Sequence, residues 1–217
     1  MVKAVIFDLD GVIVDTAKYH YQSWYRLAKS VGFELTEDQN HMLKGVSRME
    51  SLDIILEIGG VEKTSEEKHD LAELKNKWYR EYIAQLDRSE ILPGIEELLD
   101  DLKENNVKIA LGSASKNSMT ILDGLNLTSY FDVIIDGNKT TKSKPHPEVF
   151  LMGADALELN PNECLVIEDS IKGLEAANTG GFFSIGVGDD TGLNIADAVV
   201  LNMNNMTFER LVGLLEK

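Results

Sequence analysis

Short apolar runs alternate with stretches of helical periodicity from Pro93 to the end of this chain. The apolar runs lie at 107–111, 132–135, 164–167 and 183–187, with a weaker one at 198–201. The helical patterns before and between them cover 95–104, 118–125, 148–157 and 171–179. This alternation predicts a Rossmann-like, doubly wound parallel sheet of the α/β class, because parallel strands need a crossover connection between them. Such sheets bind their ligands beyond the carboxyl ends of their strands.

The first apolar run stands apart from the others. Residues 3–12 contain a buried strand pattern, yet the following part of the chain, to about residue 90, shows only helical patterns. The sequence therefore predicts an α/β core domain made of residues 1–15 and 92–217. An α-helical cap domain, residues 16–91, is inserted after the first strand.

Composition and charge limit the classes of partner. The net charge of −16 argues against a nucleic-acid backbone, although a few well-placed cations can still bind a small phosphorylated substrate. No apolar run approaches the roughly 20 residues of a membrane-spanning helix, and the first residues show no signal-peptide pattern. The single cysteine, Cys164, opens an apolar strand, which favours a core position over a nucleophile. A reducing, cytoplasmic location is expected.

Carboxylates follow two of the predicted strands. Asp8 and Asp10 end the first apolar run, and in an extended strand this spacing would place both on one face. Glu168 and Asp169 follow a second run. A single D-x-D can simply cap a turn, but close carboxylates repel each other unless a cation lies between them or one stays protonated, and two acidic pairs at one sheet edge favour the cation. Because hard divalent cations prefer carboxylate oxygens, the pattern predicts a Mg²⁺ site.

Two further segments at strand ends carry groups that suit an anion. Ser113 to Asn117 form a turn of small and hydroxyl residues before a helix, which offers N–H groups and hydroxyls. Lys144 lies in a loop and is followed by Pro145 and Pro147. Each segment alone has a plain structural alternative, because serines are common helix N-caps and loop lysines are usually solvated. Together with the two acidic pairs, they favour a functional site.

The ordered set D-x-D-G, strand-end Ser, K-P lysine and strand-end E-D resembles the haloacid dehalogenase superfamily of phosphotransferases over the whole chain. The resemblance implies that Asp8 is the nucleophile, which forms an aspartyl phosphate, and that Asp10 is the general acid/base. It makes Ser113 a phosphate ligand and Lys144 the cation that ties the phosphate to Asp8. The ligands that it implies for one Mg²⁺ are Asp8, the backbone carbonyl of Asp10, Glu168 and Asp169. Mg²⁺ and Lys144 would neutralise the charge that develops when a carboxylate attacks a phosphate dianion.

Within that superfamily, residues 15–20, 44–48 and 113–117 are similar to the β-phosphoglucomutase family. Those enzymes interconvert β-D-glucose 1-phosphate and D-glucose 6-phosphate through β-glucose 1,6-bisphosphate, which is therefore expected as an activating intermediate. The resemblance implies that Arg48 holds the phosphate that is not transferred, as a guanidinium can do in a bidentate manner. His20 and Lys75 would couple substrate binding to the position of Asp10, and Thr16 would be a hinge. The substrate-binding residues implied are Lys44, Gly45, Val46, Ser47, Arg48, Lys75, Ser113, Ala114, Ser115, Lys116 and Asn117.

Several alternatives stay open. A phosphatase on the same scaffold would use the same Asp8 and Asp10, and would differ mainly in whether water reaches the phosphoenzyme. His20 could instead form hydrogen bonds only within the cap, and Lys75 lies in a helix whose charges are mostly solvated. An inactive sugar-phosphate sensor is disfavoured, since neither the nucleophile nor a metal ligand is missing. A small sugar phosphate is the expected partner of a monomer that binds neither nucleic acid nor membrane.

Overall fold

The computed structural model describes residues 2–43 and 46–216. The chain divides into two compact units, which we call the α/β unit (Met1–Asp15 with Asp87–Lys217) and the helical unit (Thr16–Leu86). The second boundary lies a few residues before the one placed by the sequence pattern. The reason is that Ile91 already pairs with Val14 as an antiparallel bridge within the α/β unit.

The α/β unit is built on one parallel sheet. Its strands are β1 (Ala4–Phe7), β2 (Lys108–Gly112), β3 (Val133–Ile135), β4 (Cys164–Glu168), β5 (Phe183–Val187) and β6 (Ala198–Val200). They are arranged in the order β3-β2-β1-β4-β5-β6, with every pair parallel. This arrangement confirms the doubly wound fold. The strand order reverses at β1, so the ligand crevice is expected beyond the ends of β1 and β4.

The helical unit contains α1 (Ala17–Ser30), α2 (Glu37–His41), α3 (Arg48–Ile58) and α4 (Ser65–Ile83). Side chains from these helices and their connections form its hydrophobic core, which includes Trp24, Leu27, Leu52 and Ile55. Side-chain caps define the starts of α2, α3 and α4. Thr64, for example, accepts from the Glu67 N–H, and the Glu67 side chain accepts from the Thr64 N–H.

The α/β unit has helices between its strands and one helix after the last strand. They are α5 (Ile95–Glu104), α6 (Ser118–Gly124), α7 (Glu148–Ala156), α8 (Ile171–Gly180) and α9 (Phe208–Leu215). Ile6 and Val166 of the central strands pack with Phe150 of α7 and with Phe182 in one core cluster. Among the described residues, none of the helices combines the length and the hydrophobicity that a membrane span requires.

Candidate active site

Asp8 is the first residue after β1 and lies at the carboxyl edge of the sheet. Its backbone N–H donates to the carbonyl of Ile167 at 2.9 Å, and the residue is only 7% exposed. The strand ends at Phe7 and is shorter than the apolar run in the sequence, so Asp8 and Asp10 do not belong to one extended strand. Asp10 instead forms a bridge with Val14 in the following turn, where it is partly exposed.

Carboxylates from the ends of β1 and β4 come together at this edge. In the described part of the chain, one oxygen each from Asp8, Glu168 and Asp169 lie within 4.8 Å of one another, and all three residues are buried. A donor set that consists only of carboxylate oxygens, with three formal negative charges, suits a hard divalent cation such as Mg²⁺. The residues present therefore fit the expected metal. The carboxylate of Asp10 is not part of this group.

Two glycines leave room for the acidic pair at the end of β4. Gly11 has φ +82°, and a Cβ at this position would overlap the carboxylate of Asp169. In the first turn of α8, a Cβ on Gly173 would overlap the carboxylate of Glu168. A side chain at either position would displace one of the candidate metal ligands.

Lys144 contacts two members of the acidic cluster, Asp8 and Glu168. Its Nζ donates to Asp8 Oδ1 at 2.6 Å and to Glu168 Oε2 at 2.7 Å, and it lies 4.7 Å from the centroid of the Phe150 ring. Only 4% of its side chain is exposed. Charge-assisted hydrogen bonds of this kind are about twice as strong as neutral ones, so Lys144 holds the Asp8 carboxylate in a defined orientation.

Burial and charge act in opposite directions on these groups. Burial raises the pKa of Asp8 well above its usual value, the Glu168 carboxylate raises it further, and Lys144 lowers it. Burial by itself would lower the pKa of Lys144, but the carboxylates of Asp8 and Glu168 raise it above the usual value, so Lys144 stays charged. A nucleophilic carboxylate has to be ionised. A divalent cation beside Asp8 would favour that form and lower the pKa of Asp8.

Ser170 is a residue of this site that the sequence analysis misses. Glu168 Oε1 accepts hydrogen bonds from the Ser170 hydroxyl at 2.7 Å, the Ser170 N–H at 3.1 Å and the Asp169 N–H at 3.2 Å. The Ser170 hydroxyl in turn accepts from the Gly173 N–H and caps α8. These bonds orient the Glu168 carboxylate so that Oε2 meets Lys144. A serine directly before an apolar helix is a recognisable N-cap signal, but it does not reveal a link to a carboxylate.

The predicted phosphate loop follows β2. Ser113 is buried, its N–H donates to Ile135 O at 3.0 Å, and its hydroxyl accepts from the Ser115 N–H at 3.0 Å. The Ser115 hydroxyl accepts from the Asn117 N–H at 3.2 Å. Ala114 and Lys116 are exposed. Successive hydroxyl-to-amide hydrogen bonds therefore define the path of the loop.

The helical unit holds a separate group of ionisable side chains around His20. Lys75 Nζ lies 3.0 Å from His20 Nδ1 and 4.6 Å from the ring centroids of both Trp24 and Tyr79. Because an ammonium group can only donate, Nδ1 accepts, and neutral His20 carries its proton on Nε2. Burial lowers the pKa of His20 well below its usual value, and the charges of Lys75 and Arg48 lower it further. His20 is therefore a neutral Nε2–H donor at physiological pH.

Arg48 opens α3 and forms an ion pair with Glu73 of α4, with 2.9 Å between Nη1 and Oε1. Burial lowers the pKa of Arg48, although Glu73 acts in the opposite direction. The sequence analysis misses Glu73, because its helix carries many charges that are merely solvated. Ser47, expected to line the sugar, caps α3 by accepting from the Glu50 N–H at 3.4 Å.

Thr16 and Val46 lie near the starts of helices. Thr16 is fully buried, and its carbonyl accepts from the N–H groups of Tyr19 and His20 at the start of α1. Val46 is partly buried. Lys44 and Gly45 lie outside the described residues.

Comparison with known proteins places the chain among phosphoryl-transfer enzymes. Residues 5–187 match the family model described as haloacid dehalogenase-like hydrolase. The chain is 43% identical to a β-phosphoglucomutase of Bacillus subtilis over 211 residues, which cover 96% of this chain and 93% of that protein. It is 33% identical to a phosphorylated carbohydrates phosphatase of Thermotoga maritima, over 82% of each chain.

A solved structure gives the same result in three dimensions. The crystal structure of a β-phosphoglucomutase from Clostridium difficile superimposes with a TM-score of 0.94 at 47% sequence identity. The match covers 99% of this chain and 97% of that one. Both units of the chain, including the helical one, are therefore similar to corresponding parts of that enzyme.

Proposed function

The chain belongs to the haloacid dehalogenase-like hydrolase family, and we propose that it is a phosphomutase that interconverts β-D-glucose 1-phosphate and D-glucose 6-phosphate. The observation that carries the proposal is the buried Asp8 carboxylate, which Lys144 holds at 2.6 Å beside Glu168 and Asp169. Similarity to β-phosphoglucomutases over nearly the whole chain supports the mutase. Similarity to a carbohydrate phosphatase is lower and covers less of the chain.

The first half-reaction forms the phosphoenzyme. Asp8 attacks the phosphorus of a sugar phosphate, so that an Asp8 oxygen–phosphorus bond forms while the bond from phosphorus to the sugar oxygen breaks. Asp10 donates a proton to that leaving oxygen. Lys144 neutralises charge beside the attacking carboxylate, and Ser113 donates a hydrogen bond to the phosphoryl group. When bound by Asp8, Glu168, Asp169 and the Asp10 carbonyl, Mg²⁺ supplies further neutralisation of the phosphoryl oxygens.

The second half-reaction reverses these roles on the other end of the sugar. Asp10 accepts the proton of the 6-hydroxyl group of β-glucose 1-phosphate as that oxygen takes the phosphoryl group from Asp8. The product is β-glucose 1,6-bisphosphate. Asp8 then takes the 1-phosphate of this molecule, Asp10 protonates the departing oxygen, and glucose 6-phosphate leaves. One carboxylic acid thus serves both directions.

A mutase must hold one phosphate while it exchanges the other, and the proposal assigns this task to the helical unit. Arg48 binds the phosphate that is not transferred, with Lys44, Gly45, Val46 and Ser47 along the sugar. The Nε2–H of His20, whose tautomer is set by Lys75, links substrate binding to the position of Asp10, and Thr16 is the hinge. In the α/β unit, the remaining substrate contacts come from Ser113, Ala114, Ser115, Lys116 and Asn117.

Phosphorus NMR distinguishes the mutase from the phosphatase in one experiment. The protein is mixed with β-glucose 1-phosphate, Mg²⁺ and a trace of β-glucose 1,6-bisphosphate. The proposal requires stoichiometric conversion to glucose 6-phosphate, with no conversion by Asp8→Ala or in the presence of a chelator. Release of inorganic phosphate as the main product would reject the mutase in favour of the phosphatase.

A further inference from the structure

The turn that follows β3 lies against the predicted phosphate loop. The Gly137 N–H donates to the carbonyl of Ser115 at 3.1 Å, and Asn138 Nδ2 donates to the carbonyl of Lys116 at 3.0 Å. Together with the bond from the Ser113 N–H to Ile135 O, these contacts tie three residues of the loop to one short segment. Hydrogen bonds to the end of β3 and the following turn therefore hold the loop in place, in addition to the bonds that its own hydroxyl groups accept.

Asn138 is itself fixed by a buried carboxylate. Asp136 is 5% exposed, and its Oδ1 accepts from the Asn138 N–H at 3.0 Å while its Oδ2 accepts from Asn138 Nδ2 at 3.0 Å. The amide of Asn138 has two hydrogens, of which one meets Asp136 and the other meets the carbonyl of Lys116. The side chain therefore forms a rigid link between a buried anchor and the loop, although the residue as a whole is exposed.

The turn and the loop are also in close contact at Gly137. A Cβ on Gly137 would overlap the carbonyl oxygen of Ala114. Lys116 Cγ also lies 3.1 Å from that Cβ position, so the loop has little space to move towards the turn.

We propose that Asn138 is a positioning residue, which holds the main chain at Lys116 so that the Lys116 ammonium and the Ser115 hydroxyl are pre-oriented for the sugar phosphate. The inference rests on the proposed function, in which both residues bind substrate. An exposed loop without this link would have to be ordered when the substrate binds, and that ordering weakens affinity. The effect therefore falls on substrate binding and leaves the chemical step at Asp8 unchanged.

The test compares Asn138→Ala with the wild type and uses Asn105→Ala as a matched control. Asn105 makes the same kind of bond elsewhere, from its amide to the carbonyl of Asp101 at 2.8 Å. Asn138→Ala removes both side-chain hydrogen bonds, and loss of the one to the Lys116 carbonyl should raise the KM for β-glucose 1-phosphate about fivefold, with kcat nearly unchanged. Asn105→Ala should leave both constants unchanged.

A double-mutant cycle with Lys116→Ala shows whether Asn138 acts through the loop. In the Lys116→Ala background, removing Asn138 should raise KM by less than in the wild type, because one of the two groups that it positions is gone. The same rise in both backgrounds, or a fall in kcat that follows a fall in thermal stability, would overturn the proposal. Asn138→Ser, which keeps the N–H bond to Asp136 but is too short to reach both partners, should behave as Asn138→Ala does.

The outcome also separates this inference from the proposed function. If Lys116→Ala raises KM but Asn138→Ala does not, the mutase stands and the positioning role is wrong. If the wild type fails to convert β-glucose 1-phosphate to glucose 6-phosphate, the proposed function is wrong, and the positioning role in substrate binding is rejected with it.

Discussion

Replacing Lys144 with methionine tests the electrostatic design of the site. The substitution removes the ammonium group that contacts Asp8 at 2.6 Å and Glu168 at 2.7 Å. It retains an unbranched apolar side chain over the ring of Phe150, so most of the packing is preserved. Three buried carboxylates, Asp169 included, then remain together without the charge of Lys144.

The expected cost follows from the burial of this pair. Removing one partner from a buried ion pair typically costs about 3–5 kcal/mol, because the other charge is left without compensation. For a protein of this size, such a loss lowers the melting temperature by roughly 10 °C. Protonation of Asp8 offsets part of this loss of stability. Since the pKa of Asp8 is raised above 3.8, its protonation favours the folded state at low pH, and this contribution is lost as pH rises through the raised value. The difference in stability between the wild type and Lys144→Met should therefore increase from acidic towards neutral pH.

The assay is thermal unfolding at neutral pH, with a chelator and again with millimolar Mg²⁺. Mg²⁺ should restore part of the lost stability, because it binds the folded carboxylate cluster. Lys139→Met is the control, since Lys139 Nζ contacts only the Ile134 carbonyl among the hydrogen bonds described for it, at an exposed position. The control should lie within about 0.5 kcal/mol of the wild type. If Lys144→Met in chelator is as stable as Lys139→Met, then Lys144 does not compensate the buried carboxylates and the reasoning is refuted.

Three further predictions concern individual groups. Asp8→Asn should abolish turnover and yet raise the melting temperature of the metal-free protein, because the surroundings of Asp8 favour its neutral form; a lower melting temperature would contradict this. Arg48→Ala should reduce mutase kcat/KM by about 10- to 100-fold through the loss of charge-assisted hydrogen bonds. It should affect phosphoryl transfer from acetyl phosphate much less, since that donor has no second phosphate, and equal losses with both donors would argue for a structural role. Lys75→Met should raise the pKa of His20, measured by NMR titration. Because the pKa of His20 is lowered, its neutral form contributes stability above about pH 6.5, and this stability is lost as pH falls. The variant should therefore lose less stability at low pH. An unchanged His20 titration would show that Lys75 does not lower this pKa.

Local periodicity was enough to locate most of the fold. The helix predicted over 95–104 coincides with α5, because its leucines recur at helical spacing and become buried. The short α2 and the terminal α9 were not predicted, since five and eight residues provide few repeats of the helical period. The order of the strands could not be obtained this way either, because it depends on which strands pair across long connections.

The residues of the candidate site were also only partly predictable from the sequence. Asp8, Glu168 and Asp169 could be named from sequence because each stands at the end of an apolar run, and the carboxyl ends of parallel strands share one edge. Ser170 and Asn138 could not, because polar residues at turns and helix starts usually satisfy only their own backbone. Glu73 could not be predicted for a different reason, because it is one of many charged residues on α4.

The sequence by itself determined which elements form and which chemical groups stand at their ends, because hydrophobic periodicity and strand–helix alternation are properties of neighbouring residues. Only the tertiary structure decided which of those groups touch. Lys144 is 136 positions from Asp8 in the chain, and Asn138 is 22 positions from Lys116, yet both pairs are joined by hydrogen bonds of 2.6 and 3.0 Å. Such contacts arise from the pairing of β1, β2, β3 and β4 in one sheet, and no local pattern encodes that pairing.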